Sequence, residues 1–87
     1  MVAGRALHVV RRRDDDMAWA VIAEQNRESP VDVLLVQDGV FSEPPAGVSV
    51  CVNDEDVAAR GVDTPHRRVG YEEIAGMVVN AATVKVW

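Results

Sequence analysis

The chain has 87 residues, of which 48% are hydrophobic and 26% charged, so it can form one small domain with a core and is not a disordered chain. The formal net charge of −5 disfavours direct binding to the polyanionic backbone of nucleic acid. A single cysteine, Cys51, excludes an internal disulfide, and no apolar run approaches the ~18 residues that span a bilayer. We therefore expect one cytoplasmic domain over residues 1–87.

The first elements in the chain are a predicted strand and a predicted helix. Residues 7–10 are β-prone and end at the charged block 11–16, where a strand would stop. Residues 17–23 are apolar and alanine-rich, with i,i+4 pairs that indicate one face of a helix. Ser29 and Pro30 are expected to end this helix, because proline disfavours helical geometry at the preceding residue.

Two further strands are predicted in the middle of the chain. Residues 33–36 form a continuous apolar run, which is typical of a central parallel strand covered on both faces. Residues 37–39 break this run, and the proline-containing loop 43–47 leaves room for little helix. Residues 48–52 then alternate between valine and smaller or polar side chains with the period of a strand.

The last third of the chain predicts a helix, a strand, a helix and a strand. Asn53 is suited to cap a short helix, and Gly61 is suited to end it in the left-handed conformation. A brief strand at 68–69, a covering helix at 71–79 and a terminal strand at 83–87 follow. The order of elements predicts a single α/β domain with a mainly parallel sheet.

Two blocks of sequence stand at a spacing that resembles a known family. Residues 34–40 read L-L-V-Q-D-G-V, and residues 56–61 read D-V-A-A-R-G. Both blocks resemble the DsrH/TusB family of sulfur-relay subunits, and the similarity extends to Leu7-His8, Tyr71 and Trp87.

This resemblance implies a three-layer, DsrEFH-like α/β fold with helices on both faces of the sheet. It also implies assembly with DsrE/TusD-like and DsrF/TusC-like subunits that pass persulfide sulfur toward a DsrC/TusE-like carrier. Such assemblies serve 2-thiouridine synthesis in tRNA or the oxidation of stored sulfur, and a sister subunit holds the principal sulfur-accepting cysteine. We therefore expect an oligomeric, non-catalytic accessory subunit of a sulfurtransferase complex, with no cofactor.

Two alternative functions follow from different interpretations of the same residues. The first is a persulfide-carrying sulfurtransferase that uses Cys51 as its catalytic residue. The second is a stand-alone homo-oligomeric binding protein that retains the fold without the relay. A reactive Cys51 would need a nearby positive charge or a helix N-terminus, whereas its position inside a strand favours packing as a small hydrophobic residue.

Several residues are candidates for a binding surface or an interface. Gln37, Asp38 and Gly39 follow the predicted second strand, at the edge where α/β sheets place ligands. The alternative is a tight turn in which Gly39 supplies a positive φ and Asp38 binds its own backbone.

Charged and aromatic residues complete the set of candidates. Asp56 belongs to three consecutive acids that could bind a metal but are more typical of helix capping, so we expect no metal site. Arg60 could pair with these acids or with a partner subunit. Trp87 could lie in the core or at a subunit interface, where aromatic residues are enriched.

Overall fold

A computed structural model of the protein describes residues 4–87, so the start of the expected domain at residue 1 lies outside the described residues. Five parallel strands form one sheet in the order β4-β3-β2-β1-β5, which confirms the predicted α/β fold. The elements in chain order are β1 Ala6–Val10, α1 Asp16–Glu28, β2 Asp32–Leu35, a 3₁₀ turn at Gln37–Phe41, β3 Ser49–Asn53, α2 Asp54–Arg60, β4 Arg67–Val69, α3 Tyr71–Asn80 and β5 Thr83–Val86.

Each face of the sheet carries its own apolar cluster, and the helices form the outer layers. The face covered by α1 and α2 is the larger, with buried residues Val10, Ala18, Ile22, Val31, Val33, Leu35, Val40, Val52 and Val57. The opposite face is covered by α3 and buries Leu7, Leu34, Cys51 and Val69. The alternation of Val33, Leu34 and Leu35 between the two clusters explains why β2 is apolar without interruption.

The first helix is longer than the apolar run that predicts it. It begins after Asp15, whose side chain accepts a hydrogen bond from the Ala18 amide at 3.1 Å, and it ends at Ser29 before the proline, as expected. The helix continues through the polar residues after position 23, because one apolar stripe on its inner side is enough to pack it against the sheet. Ala18 and Ile22 form that stripe, whereas Met17 is 72% exposed.

The second helix agrees with its sequence signals. The Asn53 side chain accepts a hydrogen bond from the Glu55 amide at 3.1 Å, which satisfies one of the amides left unpaired at the start of a helix. Gly61 ends the helix with a φ of 61°, in the left-handed region that glycine tolerates without a steric penalty.

The cover on the α3 face is incomplete. No residue of α3 is fully buried, and its inward side chains reach the cluster around Leu34 and Cys51 only. On β5, Val84 and Val86 point to the same face as Leu7 and Val9 and remain 43% and 53% exposed. Within residues 4–87, no helix is long and apolar enough to cross a membrane.

The central strand should dominate the stability of the domain. Replacing the fully buried Leu35 with Ala removes packing from the larger cluster, so Leu35→Ala should lower the free energy of unfolding by about 2–5 kcal/mol in urea titrations. Val79→Ala on α3 is the matched control, because Val79 is 80% exposed and its truncation should change stability by less than about 0.5 kcal/mol. Equal losses in the two variants would contradict this description of the core.

Candidate functional site

The residues that follow β2 and those of α2 meet at the carboxyl edge of the sheet. The two oxygens of Asp56 accept hydrogen bonds from the Gln37 amide at 2.7 Å and from Arg60 Nη1 at 3.2 Å. Arg60 also donates through Nε to Asp38 at 3.0 Å. Four of the candidate residues therefore form one network, which we call the carboxylate clamp: Gln37, Asp38, Asp56 and Arg60.

The carboxylate clamp holds an unusual backbone conformation. Gln37 has a φ of 51°, which is uncommon for a residue with a side chain, and its backbone amide donates the hydrogen bond that Asp56 accepts. Arg60 and Asp56 are mostly shielded from water, with side-chain exposures of 27% and 21%. Two hydrogen bonds of the clamp join the 3₁₀ turn to α2, so they position the turn against this helix.

Gly39 belongs to the same turn, but the expected role for this glycine is wrong. Its φ is not positive, and Asp38 binds Arg60 instead of its own backbone. Glycine is required here because a Cβ at position 39 would collide with the carbonyl oxygen of Val10. The Gly39 amide donates to the Arg11 carbonyl at 3.1 Å, so the turn packs directly on the end of β1.

A pair of glycine substitutions tests this close approach. Gly39→Ala should lower the free energy of unfolding by about 1–3 kcal/mol, because the new methyl group forces the turn away from β1. Gly76→Ala is the control within α3, where an added Cβ meets no heavy atom within 4 Å, and it should stabilise the protein by about 0.5–1 kcal/mol. Urea unfolding midpoints measure both, and a neutral Gly39→Ala would contradict the contact.

Cys51 lies away from the carboxylate clamp, in the small cluster under α3. The residue is 6% exposed, and its sulfur lies 3.6 Å from the Val33 carbonyl oxygen and 3.8 Å from the Met77 sulfur. A cavity of about 160 Å³ borders it. The thiol therefore packs as a small apolar group with a weak hydrogen bond to the backbone.

The electrostatic surroundings of Cys51 do not favour a thiolate. Burial raises the pKa of the thiol above its ordinary value, and the carboxylates of Asp32 and Glu73 raise the pKa further. The Arg67 guanidinium acts in the opposite direction but does not outweigh burial. Because the thiolate is the nucleophilic form, a raised pKa lowers the reactive fraction at neutral pH.

Trp87 takes part in a separate network between β5, β1 and α1. Its indole nitrogen donates to His8 Nδ1 at 3.1 Å, and His8 Nε2 lies 2.6 Å from the Gln25 side-chain oxygen. Since an indole N–H can only donate, the Nε2 atom of His8 carries the proton that Gln25 accepts. Trp87 is half-buried against the larger cluster, so its ring is partly a core residue.

Arg11 connects this network to the 3₁₀ turn, and sequence reasoning missed it. Its Nε donates to the main-chain oxygen of Trp87 at 2.7 Å, while its carbonyl accepts from Gly39. The charged block after β1 carried a signal for the end of a strand, but nothing in it distinguished Arg11 from its neighbours. The contact with Trp87 spans 76 positions, which local patterns do not report.

The acidic residues at the start of α2 have different partners. Asp54 pairs with Arg68 at 2.6 Å, Asp56 belongs to the carboxylate clamp, and Glu55 lines a cavity next to α3. In the part of the chain that the structure describes, no group of three or more His, Cys, Asp or Glu side chains is arranged to hold a metal ion.

No protein-family model and no curated protein matches this chain. Three features of the chain itself bear on its function: the carboxylate clamp, the buried thiol and the apolar side chains left exposed on the α3 face.

Proposed function

We propose that this chain is a non-catalytic subunit of a sulfurtransferase relay, which assembles with DsrE/TusD-like and DsrF/TusC-like subunits and serves a DsrC/TusE-like carrier. The observation that carries the proposal is the contact between the two sequence blocks that resemble the DsrH/TusB family. Gln37 and Asp38 belong to one block, Asp56 and Arg60 to the other, and all four join in the carboxylate clamp. Two blocks that matched the family pattern by chance would not be expected to join in one hydrogen-bonded network.

The open edge of the sheet supports a role as a subunit. All four residues of β5 are exposed, and the valines at positions 84 and 86 present apolar surface beside an edge whose far side has no strand among residues 4–87. Proteins normally cover such an edge, since it invites pairing with another chain. A partner subunit seated on β5 would bury this surface next to Trp87.

The state of Cys51 supports a role without chemistry. A sulfur carrier attacks the outer sulfur of a persulfide as a thiolate and expels the donor thiolate, which requires an accessible sulfur of low pKa. Cys51 is buried beneath Met77, and its pKa is raised. This environment disfavours the alternative in which Cys51 carries the sulfur.

Persulfide transfer to the folded chain should therefore fail. After incubation with a low-molecular-weight persulfide donor, mass spectrometry of the intact native protein should show no gain of a sulfur atom. The same incubation in denaturing urea should give the gain, and Cys51→Ser should abolish it there. Stoichiometric gain by the native wild-type chain, lost in Cys51→Ser, would establish the sulfur-carrier alternative instead.

Assembly is the second test of this function. Co-expression with subunits of the DsrE/TusD and DsrF/TusC types should give a heteromeric complex, detected by native mass spectrometry. Val86→Glu should weaken that complex about tenfold or more, because it places a charge on the exposed apolar face of β5. Met17→Glu, on the exposed side of α1, is the matched control and should assemble normally.

The outcome that would contradict the assembly prediction is equally specific. A chain that forms a stable homo-oligomer, and ignores both types of subunit, would support the stand-alone binding protein. Any effect of Val86→Glu would then fall on the homo-oligomer, and the sulfur-relay proposal would be contradicted.

A further inference from the structure

A crevice opens where the chain leaves two neighbouring strands in opposite directions. After β3 the chain turns into α2 on one face of the sheet, and after β4 it turns into α3 on the other face. Ligands of α/β proteins bind outside the carboxyl ends of strands at such a divergence. Here the crevice is a cavity of about 580 Å³, lined by Asn53, Glu55, Tyr71, Ile74, Ala75, Val78 and Val79.

The surface that α3 contributes to this crevice is apolar, whereas the exposed side of a surface helix is normally polar. We call this surface the α3 groove. Its residues follow the i, i+4, i+7, i+8 spacing of one helix side: Tyr71, Ala75, Val78 and Val79. Tyr71 is 75% exposed and Val79 is 80% exposed, so the groove is open to solvent. A contiguous exposed apolar side is typical of a helix that packs against another chain.

The charges around the groove select the kind of occupant. Glu55 lines it and Glu72 lies on the exposed side of α3, and within residues 4–87 neither takes part in an ion pair. The nearby guanidinium of Arg67 pairs with Glu73, and that of Arg68 pairs with Asp54. The uncompensated charge beside the groove is therefore negative.

This negative charge argues against two classes of occupant. An anionic ligand would meet the carboxylates at the start of α2, and like charges in close contact are destabilising. A second copy of this chain, docked groove to groove, would bring two surfaces of the same negative charge together. A cationic, amphipathic partner meets neither difficulty.

We propose that the α3 groove binds an amphipathic segment of another protein, with apolar side chains on Tyr71, Val78 and Val79 and Lys or Arg side chains beside Glu55 and Glu72. The exposed side of α3 is ~15 Å long, which matches about three turns of a partner helix. The proposal does not depend on the sulfur relay, since it is argued from the crevice and the charges of this chain alone.

The test is a titration of the isolated ¹⁵N-labelled chain, followed by NMR amide shifts. The probe is a synthetic helical peptide of leucine and lysine with one apolar side, and its matched control replaces every lysine with glutamate. The lysine peptide should shift amides along the α3 groove and at Glu55, and should bind about tenfold or more tightly than the glutamate peptide. Added salt should weaken the binding.

Variants of this chain separate the charge effect from loss of structure. The double substitution Glu55→Lys with Glu72→Lys should reverse the preference between the two peptides while leaving distant amide shifts unchanged. Glu28→Lys, on an exposed position of α1, is the control and should retain the preference for the lysine peptide.

Three results would overturn the proposal. The first is equal binding of the two peptides by the wild-type chain, and the second is a set of shifts centred on α1. The third is concentration-dependent shifts in the groove without any peptide, which would show that a second copy occupies it. None of these results bears on assembly through β5, which Val86→Glu tests separately.

Discussion

A parallel sheet is normally covered by apolar side chains on both faces, and α3 is the one helix that residues 4–87 place on the face around Leu34. The opposite face has two helices and the larger cluster. Residues 4–87 thus close one side of the sheet and leave the other partly open, with Val84 and Val86 exposed. The surfaces available to partners follow from this imbalance.

The connection between β2 and β3 contains no α-helix, although it packs on the better-covered face of the sheet. The 3₁₀ turn takes the place of a crossover helix, and it buries Val40 in the larger cluster. So short an element has few hydrogen bonds of its own, and Asp56 supplies a partner for the amide of Gln37. Packing against Val10 then limits position 39 to glycine. The polar contacts at this edge therefore maintain the core as well as the surface.

Local sequence patterns predict the helices and strands of this fold better than they predict the contacts between them. The apolar run of β2, the cap Asn53 and the terminating Gly61 act on near neighbours, so the sequence shows them directly. The sequence also offered pairing of Arg60 with the acids of α2 as one of two alternatives, and Asp56 is the acid at i,i+4 spacing. The reach of Arg60 to Asp38 and of Arg11 to Trp87 depends on which strands become neighbours, and no local pattern carries that information.

The contacts along the carboxyl edge also decide where recognition can occur. Between β2 and β3, the carboxylate clamp fills the space above the strand ends. Between β1 and β5, Arg11 bonds to the main chain of Trp87 and closes the edge. Between β3 and β4 the helices diverge, and the cavity stays open because Tyr71 starts α3 on the far face. Internal polar contacts thus occupy two of these gaps, whereas the gap between β3 and β4 remains open beside the α3 groove.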